Sequence, residues 1–231
     1  MKKKITIHSE LVYVLSIIIL SFSVAMVSAA DFGLSMIVAP AFILSQKLEF
    51  LTFGQSEYVV QAIMFIIFCI LMKRVKLIYF SSFLTCLIYG AALDFWRTVI
   101  PIFNPSITEP GSMSMPLRIT FFAVGLLITA LAIAMCFRTY IYPQVYDFFV
   151  KGITDRFSLD ITKFKIGFDM SFLALSVIMT LVFFRGFVGI GVGTIITTLV
   201  NGFLIGNCGK LLDKFFDIKP LFPKLAKKFD I

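Results

Sequence analysis

The feature that most constrains this chain is the run 11–30, twenty consecutive residues without a charged side chain. A segment of about 20 apolar residues is what an α-helix needs to cross the hydrocarbon core of a bilayer. In lipid the backbone must satisfy its own hydrogen bonds, which leaves helices and closed barrels as the spanning structures. Six such stretches recur, at about 11–30, 57–72, 77–97, 118–137, 166–184 and 187–208. Composition agrees: 59% of residues are hydrophobic, 15% are charged, and the mean hydropathy is +0.99. A soluble domain is nearer about one quarter charged. The sequence therefore predicts an all-α polytopic membrane protein with one compact bundle and no separate soluble domain.

The net charge of +8 raises nucleic acid as a partner. The cations lie in short loops and at the two ends, however, which is the pattern of positive-inside topology and not of a nucleic-acid surface. The opening 1–30 imitates a secretory signal, with a basic start and small residues at 27–30. Its apolar stretch exceeds the roughly 7–15 residues of a signal, so it reads as a retained first span. Cys69, Cys86, Cys136 and Cys208 sit in apolar segments without CxxC spacing and read as packing residues. The single histidine, His8, lies in the N-terminal tail. No metal site, cofactor or nucleophile–base set can be assembled, so no enzyme is expected.

Two segments are apolar yet broken. Residues 32–47 carry Gly33 and Pro40, and 139–149 (TYIYPQVYDFF) carries Pro143 among tyrosines, a glutamine and an aspartate. Irregular backbone at membrane depth is tolerated only against protein or a water-filled cavity. With six spans, Lys47, Arg97, Arg118 and Arg185 fall outside and 17 of the 21 Lys and Arg fall inside. Full crossing of both breaks leaves 16 inside, so totals do not separate the two topologies. The cationic hairpin 73–76 (KRVK) favours six spans with both ends cytoplasmic.

The halves also resemble one another. Ser81 and Gly193, Gly90 and Gly202, and the hairpin cations Lys73 and Arg185 share an offset of 112, while Pro40 and Pro143 are 103 apart. Glu57 and Gln61 open the span after the first break, and Lys165 and Asp169 open the span after the second. Each pair is spaced to share one helix face. Three crossings per half, an odd number, would invert the second copy relative to the first. Inverted repeats with discontinuous segments are the architecture of many secondary transporters, with the site where the halves meet. A duplication kept for packing alone is the plainer alternative.

The stretches GLSMIVAPAFILSQKL…TFGQSEYVVQA, YGAALDFW, YPQVYDFFVKGITDRF, KFKIGFDM and GIGVGTIITTLVNG resemble the YczE/YyaS/YitT family of bacterial integral membrane proteins, over about 11–210. The resemblance implies a multi-pass protein of the bacterial cell membrane, labelled a permease, and brings no substrate. By match to its motifs it points to Glu57, Gln61, Gly90, Asp94, Pro143, Asp147, Lys165, Asp169, Gly191, Gly193 and Thr194.

Ionisable residues inside a membrane are costly and are functional candidates by default. Asp94 is one, with a carboxylate paired to Arg97 at the interface as the structural alternative. Lys165 with Asp169, and Glu57 with Gln61, are others, each also readable as a simple i,i+4 pair. Tyr140, Tyr142, Gln144, Tyr146 and Asp147 around Pro143 supply hydroxyls, an amide and a carboxylate on a backbone break. That suits a site for a small polar or aromatic ligand, while interfacial tyrosines are the alternative. The expected organisation is a basic N-terminus 1–10, a first repeat 11–100, an extracytoplasmic linker 101–117, a second repeat 118–209 and a basic amphipathic tail 210–231. The expected function is a small-solute permease with a central site. A non-transporting subunit that captures a ligand for, or regulates, a larger complex is the alternative, and without a GxxxxGK[ST] motif ATP coupling would come from elsewhere. Expected partners are the lipid bilayer, an unknown small solute, and a second copy or another membrane protein.

Overall fold

The computed structural model describes residues 4–73, 75–109 and 112–229, with the Thr162 side chain left aside. Arg74 of the expected cationic hairpin and the first three residues of the basic N-terminus lie outside the described residues. Strand β1 (Ile5–His8) leads directly into helix α1 (Ser9–Ala30). Then come α2 (Ala39–Lys47), α3 (Phe53–Met72), α4 (Phe80–Val99), α5 (Met115–Cys136), α6 (Val145–Phe157), α7 (Ile161–Phe184) and α8 (Val192–Phe215). Strand β2 (Phe216–Lys219) and the short α9 (Pro223–Ala226) close the chain. Among the described residues six helices are long and apolar enough to cross a membrane: α1, α3, α4 with its leading turn from Leu77, α5, α7 and α8. These are the six expected spans. The two broken segments form the short helices α2 and α6 with irregular chain before each.

Local chemistry sets the helix ends. Thr52 and Gln55 make a reciprocal capping box: Gln55 N donates to Thr52 Oγ1 at 3.1 Å, and Thr52 N donates to Gln55 Oε1 at 3.0 Å. This starts α3 one turn before the expected 57. Asp160 Oδ1 accepts from Lys163 N at 2.8 Å and starts α7 before the expected 166. Gly189, at φ +74°, and Gly191 hold the chain in a loop through 185–191, so α8 begins at Val192 and not at 187. The unexpected element is the parallel ladder, in which Ile5 faces Phe216 and His8 faces Lys219. β-Branched Ile5, Thr6 and Ile7 suit a strand.

That ladder puts the start of α1 and the end of α8 on one face, the terminal face. Arg118 Nε donates to Ala30 O at 2.9 Å, tying the start of α5 to the end of α1. Gly193 N donates to Phe32 O at 2.7 Å, tying the start of α8 to the same place. Near the terminal face the Tyr13 and Thr85 hydroxyls hydrogen-bond, and further along Phe22 meets Trp96 at 5.3 Å between ring centroids, so α4 runs parallel to α1. Asp94, late in α4, bonds to Gly54 at the start of α3. The directions follow: α1, α4 and α7 leave the terminal face, and α3, α5 and α8 return to it. The first half (α1, α3, α4) and the second (α5, α7, α8) are therefore inverted copies.

Packing repeats the relation. α1 packs on α5 at the centre; α1 on α4 mirrors α5 on α8; α3 on α6 mirrors α7 on α2. Each short helix thus packs on a span of the other half as well as on the next span of its own. The symmetry lapses at α3–α4, whose close packing has no comparable α7–α8 counterpart. The core is aromatic where α6 meets α3, with Phe68 against Phe148 at 4.6 Å and against Tyr79 at 5.4 Å.

Candidate functional site

The short helices enter from opposite faces and run outward again. Residue α6 Phe149 packs on Phe68, and Gly152 lies against the same ring, so α6 heads back to the terminal face. Gln46, near the end of α2, lies beside Asp31 at the opposite face. Both N-termini are consequently interior. They open on one cavity of about 340 Å³, lined by 35–38 before α2 and by Pro143, Gln144 and Asp147 at the start of α6. Pro40 and Pro143 thus approach one central region from opposite sides. Ile17, Leu20, Val24 and Ile133 make an apolar wall, and α8 adds Thr197, Thr198 and Asn201.

The break before α6 is held by a polar clamp on α3. Gln61 Oε1 accepts from Val145 N at 3.1 Å, taking up a first-turn N–H that no helix carbonyl can satisfy. Gln61 Nε2 donates to Gln144 Oε1 at 3.1 Å and to Glu57 Oε2 at 3.0 Å, and Tyr146 OH donates to the same Glu57 oxygen at 3.0 Å. Glu57 and Gln61 are fully buried. They stand behind Gln144 and Tyr146, not on the cavity wall. Their work is to fix where α6 begins.

Charge reaches the cavity from α6 and α7. Lys165 Nζ lies 3.0 Å from Asp169 Oδ1 and 3.7 Å from Asp147 Oδ1. The Asp169 contact lacks hydrogen-bond alignment, so it is Coulombic in character. The three side chains are 23–33% exposed and line the cavity, while Asp169 Oδ1 itself is buried. On α8 the Thr197 hydroxyl is buried without a hydrogen-bond partner among the described residues, as is Asn201 Oδ1 one turn further.

Of the residues singled out in the sequence, Gln144, Asp147, Lys165 and Asp169 line the cavity together with Pro143 and Tyr146. Glu57 and Gln61 stand behind it, and Asp94, Tyr140 and Tyr142 lie elsewhere. Asp94 accepts from Thr52 Oγ1 and from Gly54 N at 2.8 Å, an acid stabilising the start of α3. Arg97, its expected partner, lies over the Phe53 ring at 5.2 Å. Tyr140 OH donates to Glu10 Oε1 at 2.7 Å, and Tyr142 OH donates to Phe229 O at 2.9 Å, with the Phe229 ring against both tyrosines. The tail occupies these two tyrosines on the terminal face. Burial and the neighbouring Glu10 carboxylate push the Tyr140 hydroxyl up to about 12. Thr197 and Asn201 are what the sequence reading missed; their only signal was a polar i,i+4 pair inside an apolar run.

Residues 7–210 match the family model described as a family of unknown function (DUF6198). Neither the curated proteins nor the solved structures hold a match to the chain.

Proposed function

The chain belongs to the DUF6198 family, and from that premise and the cavity we propose that it is a small-solute permease with its site between the two inverted halves. One observation carries the reading: the N-termini of two half-helices, one from each half, open on a single cavity that also holds Asp147, Lys165 and Asp169. A pair of inverted halves meeting at such a site can rock about it, opening it to one face and then the other. The likeness to the YczE/YyaS/YitT membrane proteins supports the same reading. The terminal face carries most of the cations while Lys47, Arg97, Arg118 and Arg185 lie towards the other, so we assign the terminal face to the cytoplasm of a bacterial cell membrane. On this assignment 101–117 is the extracytoplasmic linker.

The test is uptake by liposomes containing the full-length protein from a pooled set of labelled metabolites. Accumulation of at least one solute, lost on Asp169→Asn, is expected. No movement of any solute across the pool overturns the reading. One observation favours the alternative of a ligand-capturing subunit: α7 and α8 are the least covered of the six spans, leaving a flank for another membrane protein. Co-purification of a stoichiometric membrane partner, with no uptake in its absence, would establish that role instead.

A further inference from the structure

We infer that the central cavity takes a small zwitterion, a solute bearing a carboxylate and an ammonium group on a short apolar body. The inference rests on the cavity being the solute site proposed above, and it holds whether or not the solute is moved.

The cavity has two chemically different poles. Towards the opposite face lies the start of α2, whose first turn contains no acidic residue. Val38 and Ala39 N–H both bond Ser35 O and Pro40 has no N–H, so this end favours an anion through its dipole rather than through a ring of free donors. The second observation at this pole is Thr197, 5% exposed, on the cavity wall, with its hydroxyl lacking a hydrogen-bond partner among the described residues. Buried hydroxyls are paired as a rule, and an unpaired one beside a cavity marks a missing group. A carboxylate at the α2 end accepts from it.

Towards the terminal face the character reverses. At the start of α6 Asp147 already sits in the first turn, so this second half-helix end has its own anion. Asp147 and Asp169 flank a single cation, Lys165, and the cluster carries one negative charge in excess. That excess calls for a further cation. Asn201, one turn along α8 from Thr197 and nearer the terminal face, adds an unpaired amide oxygen, which accepts from an ammonium.

Simpler ligands leave one pole unsatisfied. A plain anion meets the negative cluster, and a plain amine leaves Thr197 and the α2 end bare. The volume of about 340 Å³ lies at the small end of the roughly 300–1,000 Å³ of ligand pockets. Ile17, Leu20, Val24 and Ile133 offer the apolar body a dry wall. The geometry therefore fits a short aliphatic or aromatic amino acid in kind.

The test uses full-length protein in detergent and reads thermal shift and calorimetric binding for L-alanine, L-leucine and L-phenylalanine. Each of these is compared with fragments of leucine, namely 3-methylbutylamine, which lacks the carboxylate, and 4-methylpentanoic acid, which lacks the amine. At least one amino acid is expected to bind, and leucine to bind roughly tenfold or more tighter than either fragment, the worth of one charge-assisted contact. Thr197→Val should weaken leucine and spare the amine; Asp169→Asn should weaken leucine and spare the acid. Each variant is first required to be monodisperse with an unliganded melting temperature near the parent. Either fragment binding as tightly as leucine, or none of the three amino acids binding the parent protein, overturns the inference. Leucine that binds but never enters liposomes refutes transport and leaves the ligand class standing. Another solute that accumulates while no amino acid binds or competes refutes the ligand class and leaves transport standing.

Discussion

Gly54 on α3 and Gly202 on α8, the repeat counterpart of the Gly90 that Gly54 touches, should respond to alanine with opposite signs. On α3, a Cβ at Gly54 would lie 2.1 Å from the Gly90 carbonyl oxygen and 2.6 Å from Asp94 Oδ2, where ordinary contact begins at 3.4 Å. Both atoms belong to α4 and the first is backbone, so the helix itself must withdraw by more than 1 Å. Overpacking of this kind costs about 1–3 kcal/mol. Alanine's helix preference returns at most about 1 kcal/mol, and less in the first turn, where Gly54 sits. The hydrogen bonds from Thr52 and Gly54 to Asp94 loosen as α4 moves, at about 0.5–1.5 kcal/mol each. Sterics win, and Gly54→Ala loses about 1–3 kcal/mol. For a chain of this length that is a fall of about 2–12 °C in Tm, at ~2–4 °C per kcal/mol. Gly202 on α8 stands 112 positions beyond Gly90, and a Cβ there meets nothing within 4 Å. Gly202→Ala should hold or gain up to about 1 kcal/mol. Cys86 on α4 is fully buried, so a thiol-reactive fluorophore reports its exposure on heating once the partly exposed Cys69, Cys136 and Cys208 are serine. Gly54→Ala melting at or above the parent, or Gly202→Ala falling as far as Gly54→Ala, would refute the reasoning.

Other consequences can be checked in the same preparation. Gln61→Leu strips the partner from Val145 N–H and from Glu57 and should cost about 1–3 kcal/mol, read as a lower melting temperature with α6 more open to protease. Arg118→Met frees the carbonyls of Ala30 and Asp31 and removes the 3.2 Å ion pair with Asp31, for a loss of about 1–2 kcal/mol; an unchanged melt would rule out that cap. Single cysteines at Lys47 and Lys219 should label from opposite sides of oriented vesicles, and labelling from one side would break the topology. Tyr140, raised from 10.0 to about 12 in the fold, gives a contribution that is complete below pH 10 and is lost as pH climbs through about 12. Tyr140→Phe should therefore flatten the alkaline limb of a stability–pH curve between those values.

The spans were legible because bilayer thickness imposes a length, and a run such as 11–30 has no other economical fold. The starts of α3 and α7 were missed by about a turn because Glu57, Lys165 and Asp169 looked like boundary residues. The true stops, Thr52 with Gln55 and Asp160, were present as capping signals. The broken segments and their inversion were legible from Pro40, Pro143 and the shared offsets. The cavity was half legible: charges at Asp147, Lys165 and Asp169 stand out in an apolar chain, whereas Thr197 and Asn201 resemble any small polar residue in a span. What distinguishes those two is the lack of a partner, a property of the tertiary arrangement. Tyr140 and Tyr142 misled for the converse reason. Their partners, Glu10 and Phe229, lie some 130 and 87 residues away in sequence.

The crossed seating of the short helices bears on how the protein can be made. α2 rests on α7 as well as on its own neighbour α3, so the first half leaves the ribosome with a half-helix only part of whose seat has been synthesised. Nascent α2 can pack on α3 at once, but one side of it stays uncovered until α7 arrives. The β1–β2 ladder adds a last step, since residues 5–8 find their partners only after 216–219 emerge. Neither half is a self-sufficient unit of assembly. Severing the gene within the 101–117 connection should yield fragments that are degraded when made singly and rescued when made together, the two copies completing each other as subunits of an ancestral pair would have done.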